Sequence, residues 1–195
     1  MVEEVIPTIQ EVLTGVTAVI PTNVLDSMLG KSLPNIEFAD TLSLVTVRYV
    51  DYDGNDQIGD LVVHRDLADE VSEIFTEIYE ARFPIYNIDL VDKYDADDNL
   101  SMINNNTSAF NYRMIAGTNT LSNHSYGRSI DINPLVNPHV IGGVSYPSLG
   151  AQYINRSLDE PGMVKQGDVV YNAFTSRGWS WGGHWNNPDY QHFEK

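Results

Sequence analysis

The stretch from Leu42 to Phe83 constrains the fold most, because its periodicity changes within one short run. Leu42 to Val50 is dense in β-branched and aromatic residues and reads as a strand. Asp-Tyr-Asp-Gly-Asn-Asp then turns the chain into a second strand, Ile58 to His64. From Asp66 to Phe83 the period becomes helical. Leu67, Val71, Ile74 and Ile78 form one apolar stripe, while Asp69, Glu70, Glu73, Glu77 and Glu80 fill the other faces. Asp66 can cap the start and Pro84 limits the end. Strands followed by a one-sided helix predict an α+β fold, a small antiparallel sheet flanked by helices.

The flanks add shorter elements. Residues 1–40 read as one or two short helices, with Val5, Ile9, Val12 and Leu13 at helical spacing. Val24, Leu25, Met28 and Leu29 form a second cluster that ends at Gly30. We divide the chain into an N-terminal helical arm, residues 1–27, and one domain, residues 28–195. Ile85 to Val91 reads as a strand. Residues 164–177 read as a second helix with Gly178 at its C-terminal cap.

Composition then excludes several functions. Lys and Arg total 11 against 27 Asp and Glu, a formal charge of −16 that repels phosphate backbones, so no nucleic-acid partner is expected. No apolar run approaches the length of a membrane span, and the start, Met-Val-Glu-Glu, lacks the basic residues of a leader. With no cysteine, any metal must sit on nitrogen and oxygen. The acidic loops fail the EF-hand pattern. Counting from Asp51 puts Asp56 and Val62, and counting from Asp95 puts Leu100 and Asn106, where Gly and Glu are required.

Two distant segments carry chemistry: Ser122-Asn-His-Ser-Tyr-Gly-Arg-Ser-Ile-Asp131 and Asp189-Tyr-Gln-His192. Together they offer two imidazoles and two carboxylates, and a catalytic zinc needs three such ligands with a fourth position open. Ile130-Asp131-Ile132 alternates as a half-buried strand does, so Asp131 points away from both isoleucines. A carboxylate in that setting is costly unless paired or bound to a cation. At the C-terminus His192 and Glu194 would share one strand face and Phe193 the other. Pro188 and the preceding Asn pair suggest a turn that brings Asp189 toward His192. Spacing alone leaves ordinary hydrogen-bonded histidines open, and His64 and His139 are read that way.

The pattern Ser122-x-His124-x-x-Gly127-x-x-x-Asp131, followed by Asp189-x-x-His192-Phe193-Glu194, resembles the zinc D-alanyl-D-alanine peptidase family. That family includes DD-carboxypeptidases, DD-dipeptidases and L-alanyl-D-glutamate endolysins, and shares its fold with lysostaphin-type peptidases and the hedgehog signalling domain. The likeness extends over about residues 28–195, including Asn106 to Arg113 and Trp181-Gly-Gly. It implies a Zn2+ ion on His124, Asp131 and His192, carried by the small sheet. Asp189 would be the catalytic base, and Arg113 would hold the substrate and polarise its carbonyl. Ser122, Tyr126, Ser129, Trp181 and His184 become candidates for the substrate cleft. Ser129 stands where the family often has Ala, and His184 where close relatives usually have Asp.

The implied activity is hydrolysis of peptidoglycan stem peptides by a monomer, first as a D-alanyl-D-alanine carboxypeptidase. An L-alanyl-D-glutamate endopeptidase is the alternative, and a non-hydrolytic zinc-containing binding module the alternative of another class. Such a substrate implies an extracellular or cell-envelope protein whose leader is missing from the sequence, or a phage-encoded lytic protein.

Overall fold

The computed structural model describes residues 15–195. The helix expected on Val5, Ile9, Val12 and Leu13 lies outside them. In chain order the strands are β1 (Gly15–Thr17), β2 (Leu42–Val50), β3 (Asp56–His64), β4 (Asn87–Ile88), β5 (Asn106–Thr107), β6 (Ser129–Asp131), β7 (His139–Ile141), β8 (Val144–Tyr146), β9 (Ser180–Trp181) and β10 (His192–Glu194). The α-helices are α1 (Thr22–Met28), α2 (Ala68–Glu80), α3 (Asp98–Ile103) and α4 (Val169–Thr175). Helices combined with small, mostly antiparallel sheets make the chain α+β. No helix among the described residues is long and apolar enough to cross a membrane.

The expected hairpin is present, with β2 antiparallel to β3 over nine paired positions from Leu42↔His64 to Val50↔Asp56. β1 adds to the free side of β2. Alternation along β2 splits two cores. Val45, Val47 and Tyr49 face the main core, while Leu42 and Leu44 join Met28, Leu33 and Phe110 in a smaller one. α2 lays Val71, Ile74 and Ile78 on the main core as its stripe predicts, and adds Phe75. Phe174 of α4 then links this framework to a second sheet, stacking on Phe193 at 4.3 Å and meeting Phe75 edge-on at 6.5 Å.

Three expectations need correction. The residues before α2 form a 3-10 turn, and the cap is His64, whose Nδ1 accepts from the backbone N–H of Asp66 at 3.2 Å. Asp66 caps nothing there. The second helix begins at Val169, not 164, because Asp168 accepts from the N–H of Tyr171 at 2.8 Å and Gly167 takes a left-handed φ of 86°. Gly178 ends it as expected, with φ 84°. Finally, the strand from Ile85 to Val91 shrinks to Asn87–Ile88, parallel to β5. The Asn106 side chain bonds both the N–H and the C=O of Asp89, at 2.9 and 3.0 Å, which replaces further ladder pairing.

Candidate metal centre and active site

The site sits on the second sheet, ordered β6-β10-β9 and antiparallel throughout. Its register pairs His192 with Asp131, Phe193 with Ile130 and Glu194 with Ser129. Paired residues project to the same side, so Ile130 and Phe193, both fully buried, enter the core while Asp131 and His192 meet on the opposite face. His124 arrives on a 3-10 turn, Asn123–Tyr126, capped by Ser122 and ended by Gly127 at φ 65°. A Cβ at Gly127 would lie 2.7 Å from the Val63 carbonyl carbon, so that position admits no side chain and seats the turn against β3.

Four lone-pair-bearing atoms of three residues converge. Asp131 Oδ1 lies 2.9 Å from His192 Nδ1, Asp131 Oδ2 lies 3.2 Å from His124 Nε2, and the two ring nitrogens are 3.3 Å apart. All three residues are buried, and among the described residues they form the one group of His, Asp and Glu side chains placed so that it could hold a metal ion. The outer nitrogens fix the tautomers. His124 Nδ1 donates to the Ala109 carbonyl at 2.5 Å, and His192 Nε2 faces the Glu194 carboxylate at 3.2 Å. Each neutral ring then turns its lone pair toward Asp131, an arrangement typical of metal-bound histidines.

With both outer protons engaged, only acceptors face one another at the centre, and a cation resolves the conflict. A tetrahedral ion with ligand bonds of about 2.0–2.2 Å holds its ligand atoms roughly 3.3 Å apart. The observed separations fit, and the nitrogen and oxygen donors suit zinc. Without a metal a proton meets the same need. Burial opposes charge on His192, but its hydrogen bonds to Asp131 and Glu194 outweigh that and push it up to about 10. Burial likewise opposes ionisation of Asp131, yet the two histidines hold its carboxyl well below the usual range.

Asp189 stands beside this group. Its N–H donates to the Gly182 carbonyl at 3.0 Å, and its own carbonyl accepts from the N–H of His192 at 3.3 Å. Gly182 is required, since a Cβ there would sit 3.0 Å from Asp189 Cβ and 3.3 Å from His192 Cβ. The carboxylate is buried. Oδ2 lies 3.5 Å from His139 Nδ1, and Oδ1 has no hydrogen-bond partner among the described residues. Burial, opposed by the His192 charge and reinforced by Asp131 and Asp98, pushes Asp189 up to about 7. A carboxyl poised there exchanges protons readily near neutral pH.

The remaining expected site residues scatter. The Arg113 guanidinium pairs with Asp98 at 3.1 Å, and its buried Nε has no partner among the described residues. Ser122 is a cap, its Oγ accepting from the N–H of His124 at 3.3 Å, and it does not line a cleft. Ser129 is fully buried with Oγ 3.4 Å from His192 Nε2, behind the ligand because it shares the face of Asp131. Trp181 is buried in the main core and donates to the Tyr190 carbonyl at 3.0 Å. Tyr126 is exposed, but it opens on a separate cavity of about 420 Å³ with Phe38, His64 and Arg128. His184 is exposed and rests against the Trp181 and Tyr171 rings, at 5.2 and 5.6 Å.

Of the three tryptophans only Trp185 is exposed, with its ring 5.4 Å from His192. A cavity of about 560 Å³ lies between Lys31, Asp60 and Lys93 and touches none of the candidate ligands, so the chemistry is not placed there.

Two contributors escaped the sequence reading. Glu194 was legible only as sharing the face of His192. His139 carried no local signal, because its link to Asp189 is a bridge between segments fifty positions apart.

The buried His-Asp-His group, with a carboxyl pushed up to about 7 beside it, is a group that could hold a metal ion. Residues 116–195 match the family model of D-alanyl-D-alanine carboxypeptidase, a segment that includes all three ligand candidates and Asp189. By that match residues 116–195 are similar to the D-alanyl-D-alanine carboxypeptidase family of peptidases. No curated protein and no solved structure matches the chain.

Proposed function

We propose that the protein is a zinc-dependent peptidase acting on the stem peptides of peptidoglycan, with the fold of the DD-peptidase and hedgehog group. The observation that carries this reading is the meeting of four inward lone-pair-bearing atoms with a second carboxylate whose Oδ1 is left free. His124, Asp131 and His192 would hold the ion. Bound there, zinc supplies a Lewis acid for the substrate carbonyl and lowers the pKa of water to about 7.

The chain's own groups do the rest. Asp189 Oδ1 takes the proton of the attacking water and returns it to the leaving amine. Glu194 and the Ala109 carbonyl keep both imidazoles oriented. Arg113, held by Asp98, orients the substrate and stabilises charge on its carbonyl oxygen. The arm, residues 1–27, and a peptidase domain, residues 28–195, belong to the same proposal, as do a monomeric state and access to the cell envelope or a phage lytic role.

Removal of a terminal D-alanine is the first reading, in line with the matched family's description. An internal cut, such as L-alanyl-D-glutamate, is the alternative, and the same experiment separates the two. A binding-only module has no use for Asp189.

Purified muropeptides incubated with zinc-loaded protein and resolved by mass spectrometry test the proposal. Free D-alanine supports the carboxypeptidase, and new internal ends support the endopeptidase. Intact peptides at stoichiometric zinc would overturn hydrolysis.

A further inference from the structure

Trp185 is the tryptophan that the fold leaves open. Trp179 and Trp181 are 3% and 7% exposed, inside the main core, whereas Trp185 is 41% exposed. An indole facing water forgoes the gain of full burial, so its placement asks for a reason. Local structure shows how it is held. The 3-10 turn Gly182–His184 lies flat on the core, because a Cβ at Gly183 would overlap the Trp181 ring and one at Gly182 would lie 2.7 Å from the Asp189 carbonyl oxygen. The Gly182 carbonyl then accepts from the N–H of both Trp185 and Asp189, each at 3.0 Å. One backbone oxygen thus anchors the exposed indole and the carboxylate proposed as base. The indole comes within 5.4 Å of the His192 ring, tilted by 49°. Trp185 therefore borders a candidate metal ligand while its own ring stays open to solvent.

The surroundings of the ring decide what it can take. Residues 178–188 include no Asp, Glu, Lys or Arg, in a chain that carries 27 acidic and 11 basic residues elsewhere. His184, Asn186 and Asn187 beside it are exposed and polar. An aromatic face rimmed by neutral polar groups suits an uncharged group with C–H surface. Both candidate bonds bring such a group to the reaction centre. D-alanyl-D-alanine has a methyl side chain on each side of the bond, and L-alanyl-D-glutamate has one on its acyl side. The charged parts of the stem are left to Arg113.

We infer that Trp185 is a substrate-contacting residue whose indole is the wall against which the methyl side chain of an alanyl residue at the scissile bond packs. The inference rests on the peptidase reading above and holds for either bond. It makes Trp185 a determinant of specificity, since one methyl group gained or lost against an apolar surface is felt as roughly tenfold or more in kcat/KM.

Acrylamide quenching reads the contact without turnover. Zinc-loaded Asp189→Asn protein is saturated, as followed by calorimetry, with the stem pentapeptide that begins with L-alanyl-D-glutamate and ends in D-alanyl-D-alanine. Its tryptophan emission should become as resistant to quenching as that of the same protein carrying Trp185→Phe, in which only the buried Trp179 and Trp181 emit. Quenching unchanged at saturation overturns the contact. Kinetics gives the second readout. Glycine replaces each alanine at the bond that wild-type protein cuts, one at a time, and at one of these positions kcat/KM should fall by roughly tenfold, chiefly through KM. Trp185→Ala should bring that alanine-to-glycine ratio near one, and Trp185→Phe should restore most of it, with zinc content retained in both. A ratio that survives Trp185→Ala overturns the inference, because a merely structural indole would slow both peptides alike. If wild-type protein cuts no peptide, the peptidase reading fails and the quenching comparison still decides the contact. If the peptide is cut while Trp185 stays open to the quencher, the peptidase reading stands and the wall does not.

Discussion

β2 and β3 pair over nine residues each, whereas β6, β9 and β10 run for three, two and three. The long hairpin is held by its ladder and by an apolar face against α2. The short sheet has too little ladder to stand alone, and the polar side chains on and beside it each face a specific partner: His124 the Ala109 carbonyl, His192 Glu194 and Asp131, and Asp189 His139. Both regions share one core through Phe75, Phe174 and Phe193. The difference teaches that the framework supplies stability and the short sheet supplies position, so damage to each should read out in a different quantity.

The largest effect should come from the site. Asp189→Asn keeps the shape and the backbone bonds but removes the proton acceptor, so turnover should fall by about 10²–10⁴-fold while zinc content holds. A variant with full rate would remove Asp189 from the mechanism. Next in size is the framework. Phe75→Ala opens a cavity beside Phe174 and should cost about 3–5 kcal/mol by denaturant unfolding, with the zinc affinity of the folded protein unchanged. A simultaneous tenfold loss of affinity would show that the two regions do not separate. A smaller effect is expected from Glu194→Gln, which takes away the carboxylate behind His192. Zinc affinity should fall by roughly 10–100-fold in a metal competition titration. An unchanged constant would mean that the register of β10 alone orients the ring.

The same contrast explains what could be read without coordinates. β2, β3 and the stripe of α2 are long and periodic, and each was placed to within a few residues, because burial repeats along them. Parity placed Asp131 and His192, since Ile130-Asp131-Ile132 and His192-Phe193-Glu194 each assign faces residue by residue, whereas the grouping of His124 with them was implied by the family resemblance. Cleft residues were not legible. Ser122, Ser129 and Trp181 are near the ligands in sequence, yet capping, strand face and core packing turn them away from any open surface. His139 reaches the site through a bridge to Asp189, for which local sequence holds no signal. Asp66 lost its capping role to His64 for a similar reason. The turn is 3-10, and its geometry presents the imidazole of the preceding residue.

The smallest prediction probes the strain that positioning leaves in the short sheet. Asp189 has its pKa raised to about 7, first by burial, against the ordinary carboxylate value of 3.8. A carboxyl that is a weaker acid when folded gives up its proton earlier in the unfolded chain, so its contribution to stability falls as pH rises from about 4 to about 7. Asp189→Asn cannot ionise and escapes this loss. In metal-free protein the variant should gain on wild type as pH rises through that window and gain nothing further above it, measured by denaturant unfolding at pH 5, 6, 7 and 8. Phe75→Ala, which touches no ionisable group, should track wild type in parallel across the same series. Zinc should shrink the Asn advantage, because a nearby cation favours the ionised acid. A gap between Asp189→Asn and wild type that stays flat from pH 5 to 7 would mean that the buried carboxyl is not strained, and the contrast between a stabilising framework and a strained site would fail at its most sensitive point.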